Sequence, residues 1–225
     1  MTDVRPPAER AAAYWNAPGT VEEFRSLPVQ PYLTELLDGT PVEGPALDLG
    51  CGGGRNTLAL LDRGFDVVAV DLHHSMVEAT RARAAGYSRE RIRVRQGAAH
   101  ALPTEDDHFA LLVCYGVLHN ALDRAQWNAT VREISRVLQP GGLLALNSFT
   151  ADSLDPQLRP GAEEGQYILP DGVPMTLLPT AEILDAFAAV GLRPEGAVHT
   201  YRRDLDVGPR AVLRCTLRRQ DDRHA

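Results

Sequence analysis

From about residue 45 onward, short apolar runs of strand length alternate with amphipathic stretches of helical spacing, and few folds accept that alternation. Ala46–Leu49 is a four-residue apolar run ending in a glycine cluster, and Arg55–Arg63 then sets Leu58 and Leu61 at helical spacing before Gly64. Residues 66–71 form a Val-rich strand, and 75–85 read as a helix with Ser75 as N-cap and Gly86 as terminator. In 91–95, Ile92 and Val94 alternate with three arginines, the pattern of a strand with one solvated side near a sheet edge. Phe109–Tyr115 is almost wholly apolar, as a central parallel strand covered on both faces must be. Residues 123–138 place Trp127, Val131, Ile134 and Leu138 on one helical face before Pro140-Gly141-Gly142, and a fifth strand follows at 143–149. The expected architecture is α/β: a doubly wound, Rossmann-like, seven-stranded sheet with helices on both faces.

Outside that core the pattern changes. Residues 1–44 carry helical stretches at 21–27 and 32–37, read as a helical cover over the carboxyl edge of the sheet. Residues 150–179 hold five prolines and break the alternation, so they are expected to form a lid insertion after the fifth strand. A helix at 180–190 and strands near 195–203 and 210–217, with a turn at Pro209, finish the chain. We therefore expect one domain over 1–225, divided into cover (1–44), core (45–149), lid (150–179) and closing elements (180–225).

Composition narrows the function classes. At 225 residues, 44% hydrophobic and 24% charged, the chain has enough apolar side chains for a sizeable core. No apolar run reaches the roughly 20 residues that span a bilayer, and 1–10 lacks a signal-peptide core, so a cytoplasmic protein without membrane contact is expected. A net charge of −7 argues against binding nucleic acid; the arginine-rich stretches 81–95 and 202–219 alternate with apolar residues and read as solvated faces. All 23 basic residues are arginine, which excludes lysine Schiff-base chemistry and a P-loop lysine and otherwise reads as the codon bias of a GC-rich genome. Cys51, Cys114 and Cys215 are odd in number and far apart, and no His/Cys spacing fits a metal, so reduced thiols and no metal are expected.

In doubly wound sheets ligands bind beyond the carboxyl ends of the strands, where strand order reverses. After the first strand comes Asp48-Leu49-Gly50-Cys51-Gly52-Gly53-Gly54-Arg55, whose glycines permit close backbone approach to a ligand. Nineteen residues after Gly52, at the end of the second strand, Asp71 can accept both hydroxyls of a ribose. A dinucleotide fingerprint would need a sixth-position glycine where this chain has Arg55, and Asp48 would repel a pyrophosphate. A sulfonium cofactor with an amino group tolerates nearby carboxylates.

Ala46 to Arg55, Asp71, and the stretches 97–103, 109–120 and 137–149 together resemble the class I S-adenosylmethionine-dependent methyltransferases, over about residues 45–149. The resemblance implies that Asp48, Gly50, Cys51, Gly52 and Gly54 border the aminocarboxypropyl arm, that Asp71 holds the ribose, and that Leu72 flanks the adenine. Where many relatives have Gly-Asp-Ala after the third strand, this chain has Gly97-Ala98-Ala99, so backbone groups of Ala98 and Ala99 are expected to serve the adenine amino group. A second departure is Ala110, where Phe-Asp commonly opens the fourth strand. The Arg55-Asn56 pair after the glycines is also similar to thiol and metalloid methyltransferases, which stand as the alternative, and a nicotinamide-dependent oxidoreductase as a second.

Methyl transfer is an in-line displacement, so the enzyme chiefly aligns the partners and provides a deprotonated nucleophile. His119, just past the fourth strand, is the candidate base or substrate ligand, weighed against a structural histidine bonded to backbone. Tyr115 is expected to pack by the sulfonium or the substrate without ionising, and Tyr14 with Trp15 to wall the cofactor. The lid's Asp152, Asp155, Glu163, Glu164 and Asp171 against one Arg159 are read as favouring a neutral or amine small-molecule acceptor. The assembly is expected to be a monomer or homodimer.

Overall fold

The computed structural model describes residues 5–170, 172–205 and 208–221, so Asp171 lies outside the described residues. The core begins with β1 (Ala46–Leu49), α4 (Arg55–Arg63), β2 (Val67–Asp71), α5 (His74–Arg83) and β3 (Ile92–Gln96), preceded by helices α1 (Pro7–Trp15), α2 (Pro18–Ser26) and α3 (Pro31–Gly39). It continues with β4 (Phe109–Tyr115), a 3₁₀ turn over Leu118–Asn120, α6 (Arg124–Val137) and β5 (Leu138–Thr150). The chain ends with β6 (Arg159–Pro160), β7 (Gln166–Ile168), β8 (Pro174–Thr176), α7 (Thr180–Ala189), β9 (Leu192–Pro194), β10 (His199–Leu205) and β11 (Gly208–Arg219).

The main sheet runs β10-β11-β5-β4-β1-β2-β3, seven strands in the expected doubly wound order, with short β9 added beside β11. Strands β1 to β5 pair in parallel and β11 and β10 antiparallel, so strand order reverses between β1 and β4. That reversal opens the crevice into which both loops face. β1 and β4 are buried along both faces apart from half-buried Ala110, whereas β3 at the edge keeps Ile92 and Val94 half-buried and Arg93 and Arg95 exposed. On one face α6 and α7 bury Trp127, Ile134, Ile183 and Phe187 against β1, β4, β5 and β11; on the other α3 and α4 bury Leu33, Leu60, Leu61 and Phe65. Truncating fully buried Trp127 to alanine would remove about 3–5 kcal/mol.

Several local expectations are corrected. The cover has three helices, and the unexpected one is α1; all three begin with proline in the first turn, where the missing N–H leaves no bond unmade. Helix α5 starts at His74, and Ser75 is not its cap: the Ser75 N–H donates instead to Asn16 Oδ1 of the cover at 3.0 Å. Its end is Arg83, before Gly86. Asp123 does cap α6, its Oδ1 accepting the Gln126 N–H at 2.7 Å. β5 then begins at once with Leu138, and the Pro140-Gly141-Gly142 turn is absorbed inside it, where Leu138 pairs with Phe109 and Leu143 with Leu111.

The insertion is not irregular throughout: β6, β7 and β8 form a small antiparallel sheet. It is tied to the loop after β4 by Gln166 Nε2 donating to Leu122 O at 2.7 Å and Thr176 Oγ1 to Ala121 O at 2.9 Å. Pro209 lies within β11, opposite Asp204, and does not mark a turn. None of the described helices is long and apolar enough to cross a membrane.

Candidate active site

The glycine turn leaves β1 with Gly50, Gly52 and Gly54 all at positive φ, a path that side chains disfavour. A Cβ on Gly50 would also sit 2.3 Å from Val117 Cγ2, so β-carbon-free backbone is required twice over there. Beneath the turn Asp48 is fully buried, accepting from Thr57 Oγ1 at 2.6 Å through Oδ2 while Oδ1 has no partner. Burial raises its pKa to about 6, with the Thr57 hydrogen bond opposing. The Asp48 side chain lies under the turn and, through Thr57, braces it. Cys51 is buried too, and burial followed by the charges of Asp48 and Asp71 pushes its thiol far up, which makes it an inert packing residue.

Gly52, Gly53 and Gly54 are covered as well. Helix α2 lies on the turn so closely that a Cβ on Gly53 would come within 2.5 Å of Phe24 and Arg25 backbone. Arg83 fastens this contact by donating to Arg25 O at 2.8 Å and Gly53 O at 3.2 Å. Of the glycines expected to border a ligand, Gly50 alone keeps part of its surface open.

Asp71 terminates β2 with one oxygen on each side of a clamp: Oδ2 accepts the Gly52 N–H and Oδ1 the His73 N–H, each at 2.9 Å. Burial raises its pKa and the two N–H groups oppose that rise. Leu72 beside it is 55% exposed, an uncovered apolar side chain of the kind a flat base would stack on, and Gln96 Nε2 fixes its carbonyl at 2.9 Å. Ala98 and Ala99 follow β3, half-buried; the Ala98 carbonyl accepts the Ala101 N–H at 3.1 Å. On the cover, Trp15 stacks on His73 with centroids 6.0 Å apart and meets Phe24 edge-on at 5.2 Å, while Tyr14 is 47% exposed against Trp15.

At the end of β4, Tyr115 is 7% exposed and its hydroxyl is buried without a partner; burial raises its pKa, so it stays protonated. His119 stands nearby at 4% exposure, stacked on Phe149 with centroids 4.2 Å apart. Its Nδ1 accepts the Phe149 N–H at 3.1 Å, and burial with the Arg210 charge lowers its pKa to about 3. Ser148 Oγ lies 3.4 Å from the same nitrogen, so Nδ1 is occupied from within the protein and burial holds the ring neutral. Arg210 itself forms a buried pair with Asp155 of the insertion at 2.9 Å.

Three of the lid carboxylates are engaged within the protein. Asp152 caps α7 by accepting the Thr180 N–H at 3.0 Å, Asp155 faces Arg210, and Glu163 accepts the Arg124 N–H at 3.4 Å. Among the described residues no group of acidic, His or Cys side chains could hold a metal. Residues that the motif reading missed are Thr57, Asn16, Phe24 and Arg83; the prolines at the cover's helix starts were the available signal for the first turn of that layer.

A reversal of strand order, a glycine turn and a clamped carboxylate at the neighbouring strand end thus come together at one edge of the sheet. Residues 46–142 match the family described as a methyltransferase domain. An uncharacterised methyltransferase, YcgJ of Bacillus subtilis, is 34% identical over 104 residues, 46% of this chain and 40% of that protein. Demethylmenaquinone methyltransferase of Clavibacter sepedonicus is 36% identical over 112 residues, 49% of this chain and 43% of its own length. The chain thus spans less than half the length of these curated relatives. Among solved structures, a methyltransferase of Methanosarcina mazei superposes with a TM-score of 0.70 at 16% identity, covering 86% of this chain and 99% of that one. The 1,6-didemethyltoxoflavin-N1-methyltransferase of Burkholderia thailandensis, solved with that substrate and S-adenosylhomocysteine, gives 0.65 at 20% identity over 98% and 93%.

Proposed function

We propose that the protein is an S-adenosylmethionine-dependent methyltransferase acting in the cytoplasm on a small molecule. The observation that carries this is the Asp71 clamp. Two backbone N–H groups, one from the glycine turn, orient the carboxylate while leaving lone pairs on both oxygens for a diol. Exposed Leu72, partly open Gly50 and the aromatic pair Trp15 and Tyr14 fit the remainder of the same cofactor. When bound, S-adenosylmethionine supplies a methyl group on a positively charged sulfur.

The chain's own residues orient and enclose. Asp71 fixes the ribose end, Asp48 and Thr57 hold the turn rigid from below, and α2 with Trp15 excludes water from above. Tyr115 and His119 act as neutral donors at the β4 end, where the acceptor must arrive, because β1 and β2 are taken by the turn and the ribose. Neither residue removes the acceptor's proton: one stays protonated and the other has its accepting nitrogen filled. Catalysis then rests on alignment and on an acceptor that is already nucleophilic. No feature of the site favours thiol or metalloid methylation, and Arg55 in place of a third glycine speaks against a nicotinamide.

Calorimetric titration with S-adenosylhomocysteine, and separately with NADH and NADPH, tests the reading. Micromolar binding of the first alone is expected. Binding of a nicotinamide instead would overturn it.

A further inference from the structure

The sheet carries a second polar feature beyond the cofactor side. Register pairing sets Tyr115 of β4 beside Asn147 of β5 and Asn147 beside Arg214 of β11, a row across three strands on one face, at the carboxyl ends of β4 and β5 and midway along antiparallel β11. The Arg214 guanidinium is held between two rings, 4.7 Å from the Tyr32 centroid and 5.0 Å from that of Tyr201. Tyr32 is itself anchored, its hydroxyl 3.0 Å from Thr216 Oγ1.

On β10 and β11, Arg202, Arg210, Arg218 and Arg219 each face a carboxylate. Arg214 faces none among the described residues, and its buried Nε has no hydrogen-bond partner. Neither has the Tyr115 hydroxyl, in a side chain more than nine-tenths buried. Arg55 adds a further charge close enough to act on Tyr115, with Asp48 acting on it in turn. Buried donors are normally satisfied, so two orphans on one wall mark a place where an acceptor atom belongs. A guanidinium made rigid by flanking rings keeps its planar fork for carboxylate or phosphate oxygens.

We infer that this wall binds the methyl acceptor and that the acceptor carries an anionic group, carboxylate or phosphate, seated on Arg214. The inference rests on the methyltransferase reading for its meaning and stands against the amine preference drawn from the lid, where Asp152, Asp155 and Glu163 are engaged elsewhere. Strand order supports it: ribose at β2, turn at β1, acceptor over β4, β5 and β11.

The test titrates the full chain, with and without saturating S-adenosylhomocysteine, with four probes: 2-naphthoate, phenyl phosphate, 2-naphthamide and 2-naphthylmethylamine. The carboxylate or the phosphate should bind at least tenfold more tightly than the amide and the amine, and whichever of the two leads identifies the anion. Arg214→Gln should abolish that preference, and Arg202→Gln, whose guanidinium is exposed beside Asp204, should keep it. Tyr201→Ala, at a solvent-facing position, should weaken the anion severalfold even if Arg214→Gln fails to fold. S-adenosylhomocysteine affinity should stay within twofold throughout. Absence of an anion preference in the unaltered protein, or its survival in Arg214→Gln, overturns the inference. If S-adenosylhomocysteine does not bind, the methyltransferase reading falls, while the titrations without it still decide the anion site.

Discussion

The backbone N–H of Gly52 donates to Asp71 Oδ2 at 2.9 Å across nineteen residues of sequence, so the turn after β1 and the carboxylate ending β2 move as one body. Asp71→Asn keeps the shape but removes the charge and one acceptor. Charge-assisted hydrogen bonds of this type contribute about 1.5–3 kcal/mol each, so S-adenosylhomocysteine should bind roughly 10- to 100-fold more weakly by calorimetry. Unchanged affinity would remove Asp71 from the site.

Gly53 has an ordinary φ, yet a Cβ there would meet α2 backbone at 2.5 Å, and main chain cannot step aside as a side chain does. Gly53→Ala should lift α2 from the turn and speed limited proteolysis within residues 5–27. Gly86→Ala, with nothing within 4 Å of the added carbon, should leave the digestion pattern unaltered.

His119 carries a pH signature. Its folded pKa of about 3 lies below the unfolded value near 6.5, so between these limits the unfolded chain binds the extra proton. Stability should therefore fall as pH drops from about 6.5 toward 3, by up to about 1.4 kcal/mol per pH unit from this group. Denaturant titrations on His119→Gln should show a shallower slope in that window. In assays the same variant should lose less than about tenfold in kcat, against the 10²–10⁴ expected on removing a general base.

The pair Asp155–Arg210 gives a second window. The Gln157 N–H and then Arg210 hold the Asp155 carboxyl below its usual value, so its contribution is present above about pH 4 and disappears as pH falls through the folded pKa. Asp155→Asn should lower the thermal midpoint at pH 7 more than Asp204→Asn, whose partner Arg202 is exposed, and the gap should narrow in acid.

Much of this fold was legible because β1, α4 and β4 are each decided locally: apolar runs bounded by glycines leave one reading, and their boundaries match. Pairing across the chain was not. The Ser75 N–H is satisfied by Asn16, 59 residues away, and Thr57 braces Asp48 from the next helix; no periodicity announces either contact. His119 illustrates the same limit at the site, since its chemistry is set by the Phe149 N–H 30 residues on. The lid's pairings were likewise hidden, because counting carboxylates says nothing of which cations they meet in space.

Pro7, Pro18 and Pro31 each stand at the start of a cover helix, where the pyrrolidine ring fixes φ before any packing occurs. The cover is thus three stiff battens with joints at residues 16–17 and 27–30, the second lying on the glycine turn. Arg10 pins the first batten to the insertion through the Gly172 carbonyl at 2.6 Å, and Arg83 pins the second to the turn. Any bending of this layer is thereby confined to two joints, with the helices themselves intact on either side.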